Sequence, residues 1–136
     1  RVYYLDGQLE QSIKLLQTAR TRMPDDPDCC VFLGQTYMAM GSNDEASAVL
    51  REVIEKNPGY TTVYYILGQS LGKQGNLADA HYYLGIYHYR KRDFKTAVVQ
   101  YRQALKYTQD EERRATIEER LEKLEKALAK KLKRQG

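Results

Sequence analysis

The chain has 136 residues, 42% hydrophobic and 29% charged, which suits one globular domain or a short solenoid and is too small for two domains. No stretch approaches the roughly 18 uninterrupted apolar residues of a membrane span, and no charged-apolar-small leader opens the sequence. The net charge of +4 is uneven: residues 1–59 hold six Lys/Arg against nine Asp/Glu, residues 86–107 six against one, and residues 108–136 nine against seven, so the basic excess lies in the C-terminal half.

In chain order, apolar residues recur at three- and four-residue spacings, as in Val31, Leu33, Tyr37 and Met40, then Val49, Leu50, Val53 and Ile54, which is helical periodicity. Turn signals separate the blocks. Gly41-Ser42-Asn43, Asn57-Pro58-Gly59 and Gly75-Asn76 stop one helix and start the next, and Asp25-Asp26-Pro27-Asp28 places acids at a helix N-terminus. The blocks repeat with a period of about 34 residues: Leu33-Gly34 returns as Leu67-Gly68, Tyr37 as Leu71, Gly41 as Gly75, Ala46 as Ala80 and Leu50 as Leu84. One period earlier stand Tyr3, Gly7, Leu16, Ala19 and Pro24, with Gly7 at the turn position. Arg1 then falls inside a repeat, so the sequence reads as a fragment of a longer chain. The small residues Gly34, Gly68, Ala46 and Ala80 mark where paired antiparallel helices approach closely. One such pair cannot bury its apolar stripe alone, so neighbours are expected to stack into an α-solenoid.

The stretch from Asn76 to Phe94 fits two frames. As the second helix of its unit it should carry a small residue and a proline where it has Tyr87 and Arg92. Counted instead from Ala78, Leu84-Gly85, Asp93-Phe94, Ala97, Tyr101 and Ala104-Leu105 fall into the repeat pattern, displaced by half a unit. A single helix of about 77–91, shared by two units, is predicted, with a change in curvature and in charge where it lies. The organisation expected is a single domain over 1–136: a truncated repeat (1–26), a full repeat (27–60), a repeat that shares its second helix (61–91), a half-shifted repeat (78–109) and a C-terminal helix (110–134). In that last helix Ile117, Leu121, Leu124 and Leu128 form one apolar seam, flanked by Glu119-Lys123 and Glu122-Lys126 pairs in the favourable order. It is expected to cap the stack; the alternative is a coiled-coil arm for self-association.

The residues offer no route to catalysis. HExxH, paired CxxC, a Gly-rich phosphate loop and a partnered nucleophile are all missing from the sequence. His81 and His88 share a helix face but stand about 10 Å apart along it, too far to chelate one ion. Cys29 and Cys30 are neighbours, a spacing that disfavours a disulfide and favours packing of free thiols, which points weakly to a reducing compartment. Neither a cofactor nor a metal site is expected. The basic cluster Arg90, Lys91, Arg92 and Lys95 is read as a solvated turn, and nucleic acid is not the expected partner.

The repeat residues resemble the tetratricopeptide repeat family. That resemblance implies an all-α solenoid of antiparallel helix pairs with a long C-terminal capping helix, whose first helices line a groove for a protein or an extended peptide segment. Carried onto this sequence, the groove comprises Val31, Gln35, Met38, Tyr65, Gln69, Lys73, Tyr82, Ile86, Tyr89 and Arg90, with Tyr65 and Tyr82 expected to be exposed. The Lys/Asn clamp that some members use for acidic chaperone termini is replaced by Val31, Gln35, Tyr65, Gln69, Tyr82 and Ile86; Gln35 and Gln69 suit the backbone of an extended segment. More narrowly, the run from Ala80 to Thr108 and the following DEERRATIEERLEKLEKAL resemble the C-terminal repeat domain of bacterial β-barrel assembly-enhancing zinc metallopeptidases. That resemblance implies a periplasmic docking domain for outer-membrane protein substrates or the barrel-assembly machinery, whose protease site lies outside this sequence. The alternative is a scaffold or oligomerisation domain of another bacterial protein, cytoplasmic in that case.

Overall fold

Helix boundaries fall where capping chemistry and glycine allow the chain to turn. The computed structural model describes residues 2–135, with side chains from Gly7 onward, and among these residues there are seven helices and no strand. They are α1 (Val2–Arg22), α2 (Pro27–Ala39), α3 (Asn43–Lys56), α4 (Thr61–Lys73), α5 (Leu77–Arg90), α6 (Phe94–Tyr107) and α7 (Glu111–Gln135). Asp26 caps α2 by accepting from the Asp28 backbone N–H at 3.0 Å, with Pro27 in the first turn, where its missing N–H costs no helical bond. Asn76 caps α5 through the Asp79 N–H at 3.2 Å, and Asp93 caps α6 through the Thr96 N–H at 3.3 Å.

The turns after α2, α4 and α5 each need one left-handed residue. Gly41 (φ 79°) and Gly75 (φ 83°) supply it without a β-carbon penalty, whereas after α5 the position is taken by Arg92 at φ 62°. Gly7 behaves differently from the expectation of a turn. It lies within α1, with open space where a β-carbon would stand. A single glycine costs a helix only about 1 kcal/mol relative to alanine, and Asp6 and Gln8 beside it supply no second breaker.

Successive helices pack against each other, α2 also touches α4, and ion pairs lace the odd-numbered helices together. Arg20 of α1 meets Glu52 of α3; Asp79 of α5 receives Arg51 of α3 at 3.1 Å and Arg113 of α7 at 3.3 Å. The helices therefore alternate between two layers. Glycine sets the spacing within three of the pairs: a β-carbon on Gly34 would lie 2.8 Å from Leu50, one on Gly68 2.8 Å from Leu84, and one on Gly85 2.7 Å from the Tyr101 ring. The first two contacts join α2 to α3 and α4 to α5. The third joins α5 to α6, so α5 takes the close approach from one neighbour and offers it to the other.

The apolar core has two parts. Leu33, Leu50, Val63 and Leu67 centre the first, and Tyr101, Ala97, Ala104 and Ile117 the second. Each of these buried leucines contributes about 1.5–3 kcal/mol relative to exposure. α5 sends Ala80 into the first part and Ile86 into the second, while Tyr83 packs against both. α7 covers α6 with Ile117, Leu121 and Leu124, and leaves a charged outer face on which Lys123 meets Glu119 at 3.2 Å and Lys126 meets Glu122 at 3.1 Å. Cys29 and Cys30 are free and buried at the start of α2; burial first, then its neighbour Cys30, raises the Cys29 thiol pKa, which keeps it protonated and unreactive.

Candidate functional site

The ten expected groove residues separate into two concavities and three positions that line neither. The first concavity, about 270 Å³, lies in the even-numbered layer, walled by Gln35, Met38 and Ala39 of α2 and by Ile66, Gln69 and Lys73 of α4. Gln35, Gln69 and Lys73 are exposed, so their polar ends are open to solvent. Tyr65 stands beside this trough, 39% exposed, its hydroxyl accepting from Gln69 Nε2 at 3.2 Å and its ring 5.1 Å from that of Tyr87.

The second concavity is larger, about 360 Å³, and lies between α5 and α7. Ile86, Tyr89 and Arg90 form one wall, Arg120, Lys123 and Leu124 the other, and the buried rings of Tyr64 and Tyr101 complete the lining. Arg90 lies 5.1 Å from the centroid of the Tyr64 ring. The half-buried Arg120 donates to the Tyr101 hydroxyl at 3.2 Å and stands 5.5 Å from the Tyr82 centroid. Burial pushes the Tyr101 hydroxyl pKa up, and the hydrogen bond from Arg120 restrains it. Burial is the largest influence on Arg120 and works against its charge, but the bond to Tyr101 and the electrostatic interactions with Tyr101, Tyr82 and Tyr64 together outweigh it and hold the guanidinium pKa above its ordinary value. The guanidinium is therefore a fixed positive charge inside this concavity.

Like Tyr65, Val31 and Tyr82 line neither concavity. Val31 is 8% exposed and belongs to the first part of the core, at the buried end of the helix face on which Gln35 and Met38 line the trough. Tyr82, expected to be exposed, is half-buried: the Arg113 guanidinium of α7 covers its ring at 3.9 Å, and Tyr83 packs on it edge-on at 5.2 Å. A cation so close to a ring face is an attractive contact that covers the ring. Ile86 is likewise 9% exposed, a floor residue of the second concavity.

Reading residue by residue missed the α7 wall. Continuing the displaced frame by one more unit, from Glu112, brings Arg113, Arg120, Lys123 and Leu124 to the places that Asp79, Ile86, Tyr89 and Arg90 hold on α5. That arithmetic was available in the sequence. The histidines are engaged in packing and polar contacts: His81 Nδ1 is 2.8 Å from Gln100 Oε1 with its ring stacked 6.0 Å from Tyr107, and His88 Nδ1 is 3.6 Å from Asp93. Among the described residues, no group of three or more His, Cys, Asp or Glu side chains is placed to hold a metal ion.

Two stacked helix layers with concavities walled by neighbouring helices define a helical-repeat scaffold, a class that works by presenting surface. The chain belongs to the tetratricopeptide repeat family: one model of that repeat matches residues 3–69 and a second matches residues 78–111. It is accordingly a non-catalytic protein-interaction module. Among solved structures, MamA MSR-1 C2 is similar over 92% of this chain and 72% of its own length, at 22% identity and a TM-score of 0.57. MamA RS-1 ArsTM double mutant is similar over 92% of this chain and 89% of its own, at 17% identity and a TM-score of 0.52. Both likenesses are of fold. No curated protein matches the sequence.

Proposed function

We propose that the domain docks a protein partner by holding an extended segment in the trough between α2 and α4. It would serve as the substrate- or partner-docking part of a bacterial zinc metallopeptidase in periplasmic outer-membrane protein quality control. The observation that carries the docking reading is the pair of exposed amides, Gln35 and Gln69, one repeat apart on adjacent helices of a single trough. An amide offers both a donor and an acceptor, the combination an unpaired peptide backbone needs. Met38 and Ile66 supply apolar contact between them, and Lys73 a cation at one end. The parent enzyme class and its compartment rest on the resemblance of residues 80–128, and the division into repeats at 27–60, 61–91 and 78–109 belongs to the same proposal.

Site-specific photo-crosslinking tests it. Benzoylphenylalanine at Gln69 should capture an unfolded outer-membrane β-barrel polypeptide, while the same group at Glu55, an exposed residue of α3, should capture little. Equal capture at both positions refutes docking in the trough. Capture at Gln69 of unfolded proteins of every kind, with no preference for barrel polypeptides, refutes the quality-control assignment and leaves the trough standing.

A further inference from the structure

The concavity between α5 and α7 has a composition that its structural role does not require. Three cations line it, Arg90 from one wall and Arg120 and Lys123 from the other, and no Asp or Glu does. Arg90 has only the face of Tyr64, and Arg120 only a phenol and the face of Tyr82; neither has a carboxylate partner among the described residues. Lys123 meets Glu119 on the outer face, but that pair is exposed on both sides, so solvent and salt weaken it. A half-buried guanidinium held by a neutral hydroxyl keeps N–H donors and a full charge available to an incoming anion. Beside these charges lie Ile86, Leu124 and the ring of Tyr89, which is 49% exposed.

We propose that this concavity binds an acidic segment of a protein partner, one in which carboxylates flank an apolar or aromatic side chain. The carboxylates meet Arg90, Arg120 and Lys123, and the apolar side chain lies against Ile86, Leu124 and Tyr89. Cations on two separate walls call for more than one carboxylate, which side chains along a segment supply and a lone chain terminus does not. A phosphate backbone fits less well. The exposed Glu118, Glu119, Glu122 and Glu125 stand on α7 beside Lys123, a row that repels a continuous polyanion while leaving room for discrete carboxylates. The inference rests on the chain being a protein-interaction module, and it is independent of the α2/α4 trough, which shares no lining residue with this site.

The test is fluorescence anisotropy on the whole chain with short, labelled, C-terminally amidated Gly/Ser peptides carrying a central Glu-Phe-Asp, Gln-Phe-Asn or Glu-Ala-Asp. The Glu-Phe-Asp peptide should bind tightest, more weakly as salt rises. An Arg90→Gln/Lys123→Gln double variant, which changes only surface side chains and should keep the far-UV circular dichroism of the parent, should bind it about tenfold more weakly or worse. Gln69→Ala should bind it unchanged, which separates this site from the trough. Equal binding of Gln-Phe-Asn, or unchanged binding by the double variant, would overturn the proposal. So would binding seen only with a free peptide carboxyl terminus, or displacement by oligothymidine at matched charge.

Discussion

Replacing Gly85 by alanine probes the contact on which the α5–α6 pairing depends. The new β-carbon would stand 2.7 Å from both Cδ1 and Cε1 of Tyr101 and 3.0 Å from Cζ, well inside contact distance. Tyr101 cannot yield easily: it is 1% exposed, its hydroxyl is held by Arg120 at 3.2 Å, and its ring lies 6.3 Å from that of Tyr82. Overpacking of this kind costs about 1–3 kcal/mol, and a rigid buried ring puts the cost in the upper half of that range. Alanine returns up to about 1 kcal/mol of helix propensity, so the net expectation is a loss of roughly 1–2 kcal/mol. Gly72→Ala in α4 is the control, because its β-carbon meets only Ala80 Cβ at 3.9 Å, an ordinary contact. That variant should gain about 0.5 kcal/mol, near the low end for a helical glycine because it sits in the last turn. The two alanines should therefore differ by roughly 2 kcal/mol, about thirtyfold in the ratio of folded to unfolded chain. Urea titration followed by far-UV circular dichroism reads this as a midpoint shifted down for one variant and slightly up for the other. A Gly85→Ala protein as stable as Gly72→Ala would refute the close-approach argument.

Three further outcomes follow from other features. Arg92→Gly should stabilise the protein by about 0.5 kcal/mol, since relief of a left-handed non-glycine residue exceeds the added freedom of the unfolded chain; a lower urea midpoint would contradict this. Asp79→Asn removes the shared partner of Arg51 and Arg113 and should cost about 1 kcal/mol at low salt and less at high salt; a loss independent of ionic strength would mean that packing, not charge, is at stake. Thr96, by hydrogen bonds from its side chain and backbone, and then His88 by its charge, hold the Asp93 carboxyl below its ordinary pKa. Its contribution is therefore complete above the unfolded value of about 3.9 and is lost as pH falls through the lower folded value. The difference in Tm between wild type and Asp93→Ala should be full at neutral pH and close on acidification; a difference that persists in strong acid would refute the linkage.

Most of the helical architecture was legible because local chemistry and packing agree. A helix over about 77–91 was expected and α5 spans Leu77–Arg90; a terminal helix to about residue 134 was expected and α7 ends at Gln135. Gly34 and Gly68 announced close approaches, and Ala46 and Ala80, at 0% and 4% exposure, show why small residues recur there. What the sequence hid was orientation. Val31 and Gln35 lie one helical turn apart, yet one is in the core and the other faces solvent, because the boundary of the buried stripe depends on where the neighbouring helices lie. Tyr82 was hidden for a longer-range reason: its cover comes from Arg113, 31 residues later, on a helix whose path across α5 is set by packing on α6. Gly7 shows the reverse error, where a residue type associated with turns was overruled by the helix on either side of it.

The double engagement of α5 also bears on how the stack comes apart. In a chain of coupled repeats, each interface acts as a bond between neighbours, and unfolding from either end halts at the weakest bond. Here the two core parts meet within one helix, which gives Ala80 to one and Ile86 to the other, and its two glycine-mediated seams are of the same kind. Neither half can open through α5 without stripping a buried contact from the other. The chain is thereby wired for cooperative opening across its middle.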